Sequence, residues 1–198
     1  MPNKFVLKYN HGCGMNIICE DKTKLNISET VKKLNLWKKV NYGLLTTEFQ
    51  YLYVKRRIFI EQFLNKNLID YKIYCFNGKP KFILAKKPLD FNKGIYIRNY
   101  YNLDWIFIEL EKYQNNTTLN YKIDKPKKLK LMLKYARLLS QEFVFARVDL
   151  YETNNRVYLG ELTFTPCNSF KMWKDNSTRI RLGNLVDIKR IKEYLLNK

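Results

Sequence analysis

A single histidine stands among the 198 residues, and the four cysteines, at 13, 19, 75 and 167, form no C-x-x-C pair. A multi-histidine zinc site is therefore excluded, and the thiols read as free cysteines of a reducing compartment. Acidic residues are scarce: 18 Asp and Glu stand against 37 Lys and Arg, for a net charge of +19. Such an excess suits nucleic acid, an anionic membrane surface or an acidic substrate. The lysines are scattered among Asn, Ile and Tyr along the whole chain, and only Lys122–Lys134 is a dense basic run. That run falls on an expected helix whose other face is apolar, so a solvated basic surface outweighs specific nucleic-acid binding, which has only charge in its favour. Long apolar runs are absent too. Stretches such as Arg57–Leu64 are far too short to cross a bilayer, and the first residues show no signal-peptide h-region. The expected location is cytoplasmic, with an anionic inner membrane surface as a place the charge would favour. What is present argues for a folded protein: 46% hydrophobic and 15% aromatic residues, with no internal repeat, in a length that fits one domain or a core with a small lid.

Hairpins dominate the expected elements. Phe5–Lys8 and Met15–Cys19 read as strands around a glycine-bearing loop, residues 9–14. Ser28-Glu29-Thr30 offers a helix start, continued at helical spacing by Val31, Leu34 and Trp37. Arg57–Leu64 reads as a strand. Tyr71–Phe76 and Lys81–Leu84 flank Asn77-Gly78, a strong two-residue hairpin signal, and Pro80 places its arm at an edge or at a point with no ladder bond. Residues 86–121 read as irregular. Pro126 opens a helix as its first residue, with Met132, Ala136, Leu139 and Phe143 as its core face, and Ile188–Leu196 reads as a terminal helix. The class is α+β, without βαβ alternation.

The chemistry concentrates between Phe145 and Phe164, where F-A-R-V-D-L-Y and V-Y-L-G-E-L-T-F place Arg147, Asp149, Glu161 and Thr163 inside runs that read as buried strands. Buried charges cost several kcal/mol each unless paired or bound to metal, on the order that burial of ions sets generally. Arg147 and Asp149 share one strand face, as do Glu161 and Thr163, so a hairpin would gather a guanidinium, two carboxylates and a hydroxyl: the layout of a Mg²⁺–phosphate site. A regular two-residue turn at Asn154-Asn155 would pair Asp149 with Gly160 and turn Glu161 to the wrong face. Convergence therefore requires an odd loop, for example Asn154–Arg156, or a bulge.

Three weaker signals accompany it. Lys8, at a strand end beside Gly12 and Gly14, could meet phosphate oxygens together with backbone N–H groups, although a surface lysine beside a loop is a common arrangement. No G-K-[ST] follows, so this is not a Walker loop. The strand Ile60-Glu61-Gln62-Phe63-Leu64 could hydrogen-bond an adenine edge or be a plain core strand. Asp70 and Lys72 share a face and could take ribose and phosphate, or form an ordinary ion pair.

Taken in order, these pieces resemble the ATP-grasp enzymes: a lysine with a glycine loop, an E-x-x-[LI] hinge, an acidic residue, then D…E-x-[N/T]. The wording F-V-L-K-Y-N-H-G-C-G-M-N-I-I-C, D-Y-K-I-Y-C-F-N-G-K-P-K-F-I, F-A-R-V-D-L-Y and G-E-L-T-F-T-P, spanning about residues 5–170, resembles the TupA-like ATP-grasp family. That resemblance implies an ATP-grasp fold with a small lid, residues 1–62, and a larger antiparallel-sheet catalytic subdomain, residues 63–198. ATP and Mg²⁺ are the implied cofactors. Asp149 and Glu161 would hold the metal with Thr163 nearby, a position where most ATP-grasp enzymes carry asparagine. Lys8, Gly12, Gly14 and Lys72 would meet the phosphates, Glu61, Gln62, Phe63 and Leu64 would form the adenine hinge, and Asp70 would bind ribose. His11 could touch phosphate or substrate, or be an incidental exposed loop residue. Arg147 would stabilise the transition states.

The implied activity is a carboxylate–amine ligase working through an acyl-phosphate in cell-surface polysaccharide assembly, its substrates an amine and a carboxylate on an acidic glycan or its precursor. No N-terminal lobe of the kind that usually precedes the lysine strand is evident, so a missing lobe or a partner subunit is expected to complete the site. The rival readings are a sugar kinase of the same fold, a non-catalytic nucleotide-binding subunit and, last, a basic nucleic-acid-binding protein.

Overall fold

The computed structural model describes residues 2–91, 93–110, 121–166, 173–187 and 189. The chain divides into two compact units, Met1–Asn65 and Lys66–Lys198.

Unit 1 holds a three-stranded antiparallel sheet in the order β2-β1-β3, from β1 (Phe5–Tyr9), β2 (Asn16–Cys19) and β3 (Ile58–Gln62). Alternation along β1 sends Phe5, Leu7 and Tyr9 inward, and Phe5 and Leu7 form a small core with Cys19. Helix α1 (Ile27–Lys38) starts one residue before the expected Ser28, because the Asn26 side chain caps it by accepting from the Glu29 N–H at 3.0 Å. A short helix α2 (Tyr42–Thr46) and a 3₁₀ turn (Phe49–Leu52) lead into β3.

Unit 2 is built on a six-stranded antiparallel sheet in the order β7-β6-β5-β4-β8-β9. Its strands are β4 (Asp70–Phe76), β5 (Lys79–Asp90), β6 (Ile95–Tyr101), β7 (Phe107–Ile108), β8 (Phe145–Thr153) and β9 (Arg156–Thr163). The Asn77-Gly78 hairpin forms as expected, both residues at positive φ (50° and 74°). Pro80 lies on an interior strand, yet a register shift against Cys75 leaves Lys81 as the extra residue, and β6 begins to pair only at Ile83. The missing donor of Pro80 thus falls at a bulge, in a stretch with no neighbour on the β6 side.

The sequence reading missed the end of β5 and all of β6 and β7, which occupy part of the segment expected to be irregular. Lys86, Lys87 and Pro88 interrupt the apolar pattern of β5, and Arg98-Asn99 interrupts that of β6. The buried Asn99 side chain donates from Nδ2 to the Tyr121 carbonyl at 2.5 Å, while no described residue donates to its Oδ1.

Each sheet face has its own core. On one, Ile73, Cys75, Ile83, Ala85, Val148 and Leu150 pack against helix α3 (Leu129–Ser140) through Leu129, Met132 and Ala136. That helix starts three residues after Pro126, which instead accepts from the Leu129 N–H at 3.2 Å, and Phe143 lies beyond its end. On the other face, Tyr74, Phe76, Phe82, Leu84 and Tyr100 meet Trp173 and Leu182, the latter from helix α4 (Asn176–Gly183). The expected helix Ile188–Leu196 lies, apart from Lys189, outside the described residues.

Candidate functional site

The β8–β9 hairpin decides the geometry. Asn154 and Asn155 form a two-residue turn, with φ of 49° and 57° and with Thr153 opposite Arg156. The expected three-residue loop does not occur; the bulge does. Leu150 pairs with Leu159, the register then shifts, and Asp149 pairs with Glu161, leaving Gly160 as the extra residue. One residue is enough to return Glu161 to the Asp149 face, because strand side chains alternate with period two. Gly160 is also the residue this bulge can hold: a Cβ there would stand 2.5 Å from Tyr151 Cε2 and 3.3 Å from the Asp149 carbonyl. Sequence reasoning did not single out Gly160, although a lone glycine inside V-Y-L-G-E-L was the available signal.

Register aligns the site in rows across the sheet. Lys72, Asp149 and Glu161 form one row; Tyr74, Arg147 and Thr163 form the next. Asp149 is 1% exposed and sits at the centre. Arg147 donates to it twice, from Nε to Oδ1 at 2.7 Å and from Nη2 to Oδ2 at 2.8 Å, and donates from Nη2 to Thr163 Oγ1 at 2.9 Å. Lys72 Nζ bridges Asp149 Oδ2 and Asp70 Oδ2, the latter at 2.6 Å. Glu161 Oε2 lies 3.9 Å from Arg147 Nη2 with its side chain 42% exposed. Two cations thus serve three carboxylates, which is how charges persist in such strands.

The electrostatics follow the geometry. Loss of hydration raises the Asp70 carboxyl above its ordinary range, and the nearby Asp149 adds to this while Lys72 opposes it. Desolvation and Asp149 raise Glu161 likewise, against the pull of Arg147. Burial would lower Lys72, but Asp70 and Asp149 outweigh it and hold the ammonium charged above its usual value. Desolvation also disfavours the Arg147 guanidinium; its hydrogen bonds to Asp149 and the charge there more than compensate, so its value rises.

Asp70 Oδ1 is buried, and among the described residues nothing donates a hydrogen bond to this acceptor. Lys86 and Arg98 extend the Asp70 row across β5 and β6, and neither was singled out from sequence. Among the described residues no group of three or more His, Cys, Asp or Glu side chains forms a metal cage. The donor set nevertheless fits Mg²⁺, which takes one or two carboxylates and leaves its other positions to water and phosphate oxygens: Asp149 and Glu161 face each other on one row, with the Thr163 hydroxyl on the next.

The remaining expected residues lie in unit 1. Lys8 and Glu61, on one face of the β1–β3 pair, form an ion pair at 2.5 Å with side chains 31% and 41% exposed. Gln62 ends β3, and half-buried Phe63 and Leu64 follow it. Gly12 packs under Tyr42, where a Cβ would meet the ring at 2.8 Å, and Gly14 adopts φ +75°. His11 corrects an expectation: it is not an exposed loop residue but 2% exposed, edge-on to Tyr9 at 4.9 Å, with Nε2 3.1 Å from the Trp37 carbonyl. The ring is a buried anchor of the glycine loop.

Comparison with solved structures finds D-alanine–D-alanine ligase from Bacillus anthracis complexed with ATP, at 14% identity and TM-score 0.50, with 98% of this chain and 55% of that chain covered. A second structure of that ligase, without ATP in its description, matches at 18% identity and TM-score 0.50 over 98% and 56%. This chain therefore spans about half the length of those ligases. The likeness establishes the ATP-grasp fold, with a smaller unit of sheet and helices and a larger antiparallel sheet. A search of curated proteins found no match. Residues 1–187 match the family described as TupA-like ATPgrasp, and the chain belongs to the TupA-like ATP-grasp family.

Proposed function

We propose that the protein is an ATP-dependent carboxylate–amine ligase that works through an acyl-phosphate on an acidic cell-surface polysaccharide precursor. The observation that carries this reading is the bulged hairpin, which sets Asp149 opposite Glu161 within reach of Arg147 and Lys72. Asp149, Glu161 and the Thr163 hydroxyl would hold Mg²⁺, which supplies neutralisation of phosphate charge when bound. Lys72 and Arg147, both kept charged by their carboxylate neighbours, hold phosphate oxygens in line with the attacking carboxylate. Asp70, with a free acceptor on Oδ1, takes a ribose hydroxyl. In unit 1, Lys8 with the Gly12–Gly14 loop is the further phosphate contact, and Glu61–Leu64 is the adenine-binding segment.

The reaction balances in two steps. A substrate carboxylate oxygen attacks the γ-phosphorus and ADP leaves, giving the acyl-phosphate. An amine nitrogen then attacks the acyl carbon, the C–O bond to phosphate breaks, and the nitrogen loses a proton as phosphate departs. Arg147 stabilises the charge that develops at both steps, a role of fixed dipoles and cations that water cannot match. A net charge of +19 supports an acidic substrate. A further lobe or subunit, holding the carboxylate substrate, belongs to this reading.

The test is product release. Candidate acids and amines should yield ADP and free phosphate only when both are supplied, and Asp149→Asn should abolish the release. Phosphate transferred to a sugar hydroxyl with no amine present would replace the ligase by a kinase. Mg²⁺–ATP binding with no turnover on any such pair, with or without a complementing lobe, would leave a nucleotide-binding subunit.

A further inference from the structure

One segment of unit 1 is built inside out. In α2 and the 3₁₀ turn that follows, Gly43 and Glu48 are buried and Tyr42, Thr46, Gln50 and Tyr51 half-buried, while Leu44, Leu45, Phe49, Leu52 and Tyr53 face solvent. The inward side chains contact one another: Thr46 Oγ1 donates to the Tyr42 carbonyl at 2.9 Å and lies 3.3 Å from Glu48 Oε2, and Tyr42 packs edge-on against Tyr51 at 5.3 Å. The outward side chains include Leu45, 76% exposed, and Tyr53, 89% exposed. Five large apolar groups within ten residues exceed the single exposed hydrophobics of an ordinary surface.

Charge says what covers them. From Trp37 to Ile60 the chain carries five cations, Lys38, Lys39, Lys55, Arg56 and Arg57, all at exposed positions, and one acid, Glu48, which is buried. The cations are tied into the same piece of structure. Arg56 donates to the Lys38 carbonyl and the Asn41 side chain, and Asn10 holds the backbone of Lys55 and Arg57. The outer surface of this stretch is thus apolar and cationic with no exposed acid. A second copy of the chain would bring like charges together, and nucleic acid would leave the leucines uncovered. An anionic lipid surface meets both requirements, with apolar groups at the acyl boundary and lysines and arginines at the headgroups. We propose that α2, the 3₁₀ turn and the Lys55–Arg57 run dock unit 1 on an anionic lipid bilayer.

Vesicle co-sedimentation of the full chain tests this, with an equimolar mixture of phosphatidylglycerol and phosphatidylcholine against phosphatidylcholine alone. The wild type should bind the mixed vesicles and ignore the neutral ones. Leu45→Ser with Tyr53→Ser, at positions too exposed to support the fold, should weaken binding about tenfold or more, and so should Lys55→Glu with Arg57→Glu. Ile180→Ser, an exposed apolar site in unit 2, should change nothing. If a double variant unfolds, Tyr53→Ser alone carries the comparison. The proposal is overturned if the wild type ignores anionic vesicles, or if the serine variants bind as the wild type does. It is also overturned by self-association that Leu45→Ser abolishes, or by duplex DNA binding lost with the charge reversals but not with the serines.

Discussion

Both units hold a lysine against a carboxylate on a strand face, and the two pairs are energetically unlike. The Lys8 and Glu61 side chains in unit 1 are 31% and 41% exposed; the Lys72 and Asp149 side chains in unit 2 are 15% and 2% exposed. Water solvates either member of the first pair once the other is gone, so the pair is worth roughly 0–1 kcal/mol. Water cannot reach Asp149, so removing Arg147 leaves the buried carboxylate with Lys72 alone, at a cost of about 3–5 kcal/mol. The buried pair is a poor way to gain stability, since an apolar replacement of the whole network would serve as well. The arrangement is what the proposed ATP site requires: carboxylates and cations fixed in place before anything binds.

The difference can be broken from either side. Arg147→Ala should give the largest loss, about 3–5 kcal/mol in urea unfolding, because Asp149 loses both guanidinium bonds; Arg147→Ala with Asp149→Leu should recover much of it. A loss under about 1 kcal/mol for Arg147→Ala would place this network in the same class as the surface pair. Gly160→Val comes next, at about 1–3 kcal/mol, since its side chain must displace the Tyr151 ring. It should also weaken Mg²⁺–ATP binding, whereas a bulge that only relieves strain would leave binding intact. Lys8→Ala should change stability by less than about 1 kcal/mol.

The effect that is smallest at neutral pH is a dependence on alkaline pH. Burial pushes the Cys75 thiol up to about 11. Folding then favours the protonated thiol, so its contribution is complete below the ordinary thiol value and is lost as pH rises from there toward about 11. Thermal unfolding of Cys75→Ala should show less alkaline decline than the wild type, and Cys13→Ala, at an exposed thiol, should match the wild type.

Much of the site was legible because charge inside an apolar strand has few structural explanations. Arg147, Asp149, Glu161 and Thr163 were marked by polar groups inside apolar runs, Asp70 and Lys72 only by their two-residue spacing, and all six share one sheet face. The bulge was legible as a requirement but not as a place, because period-two alternation demands an extra residue without saying which one. His11 was misread because a histidine beside glycines looks solvated; its burial comes from Tyr9 and the Trp37 carbonyl, and the latter is 26 residues away. Strand β6 was missed because Arg98 and Asn99 break its apolar pattern, and β7 because its two residues, Phe107 and Ile108, are too few to show one. The tertiary partners of Arg98 and Asn99, the Asp70 row and the Tyr121 carbonyl, are not local.

A Mg²⁺–phosphate site in the bulged hairpin of unit 2 would make ATP binding depend on the metal and on Glu161. Titration calorimetry of ATP into the full chain, with Mg²⁺ and then with excess chelator, tests it most directly when run beside Glu161→Gln. The wild type should bind at least about tenfold more tightly with Mg²⁺ than without, and Glu161→Gln should lose this dependence while keeping its fold. ATP binding that is indifferent to Mg²⁺ in the wild type, or equally Mg²⁺-dependent in Glu161→Gln, would contradict it.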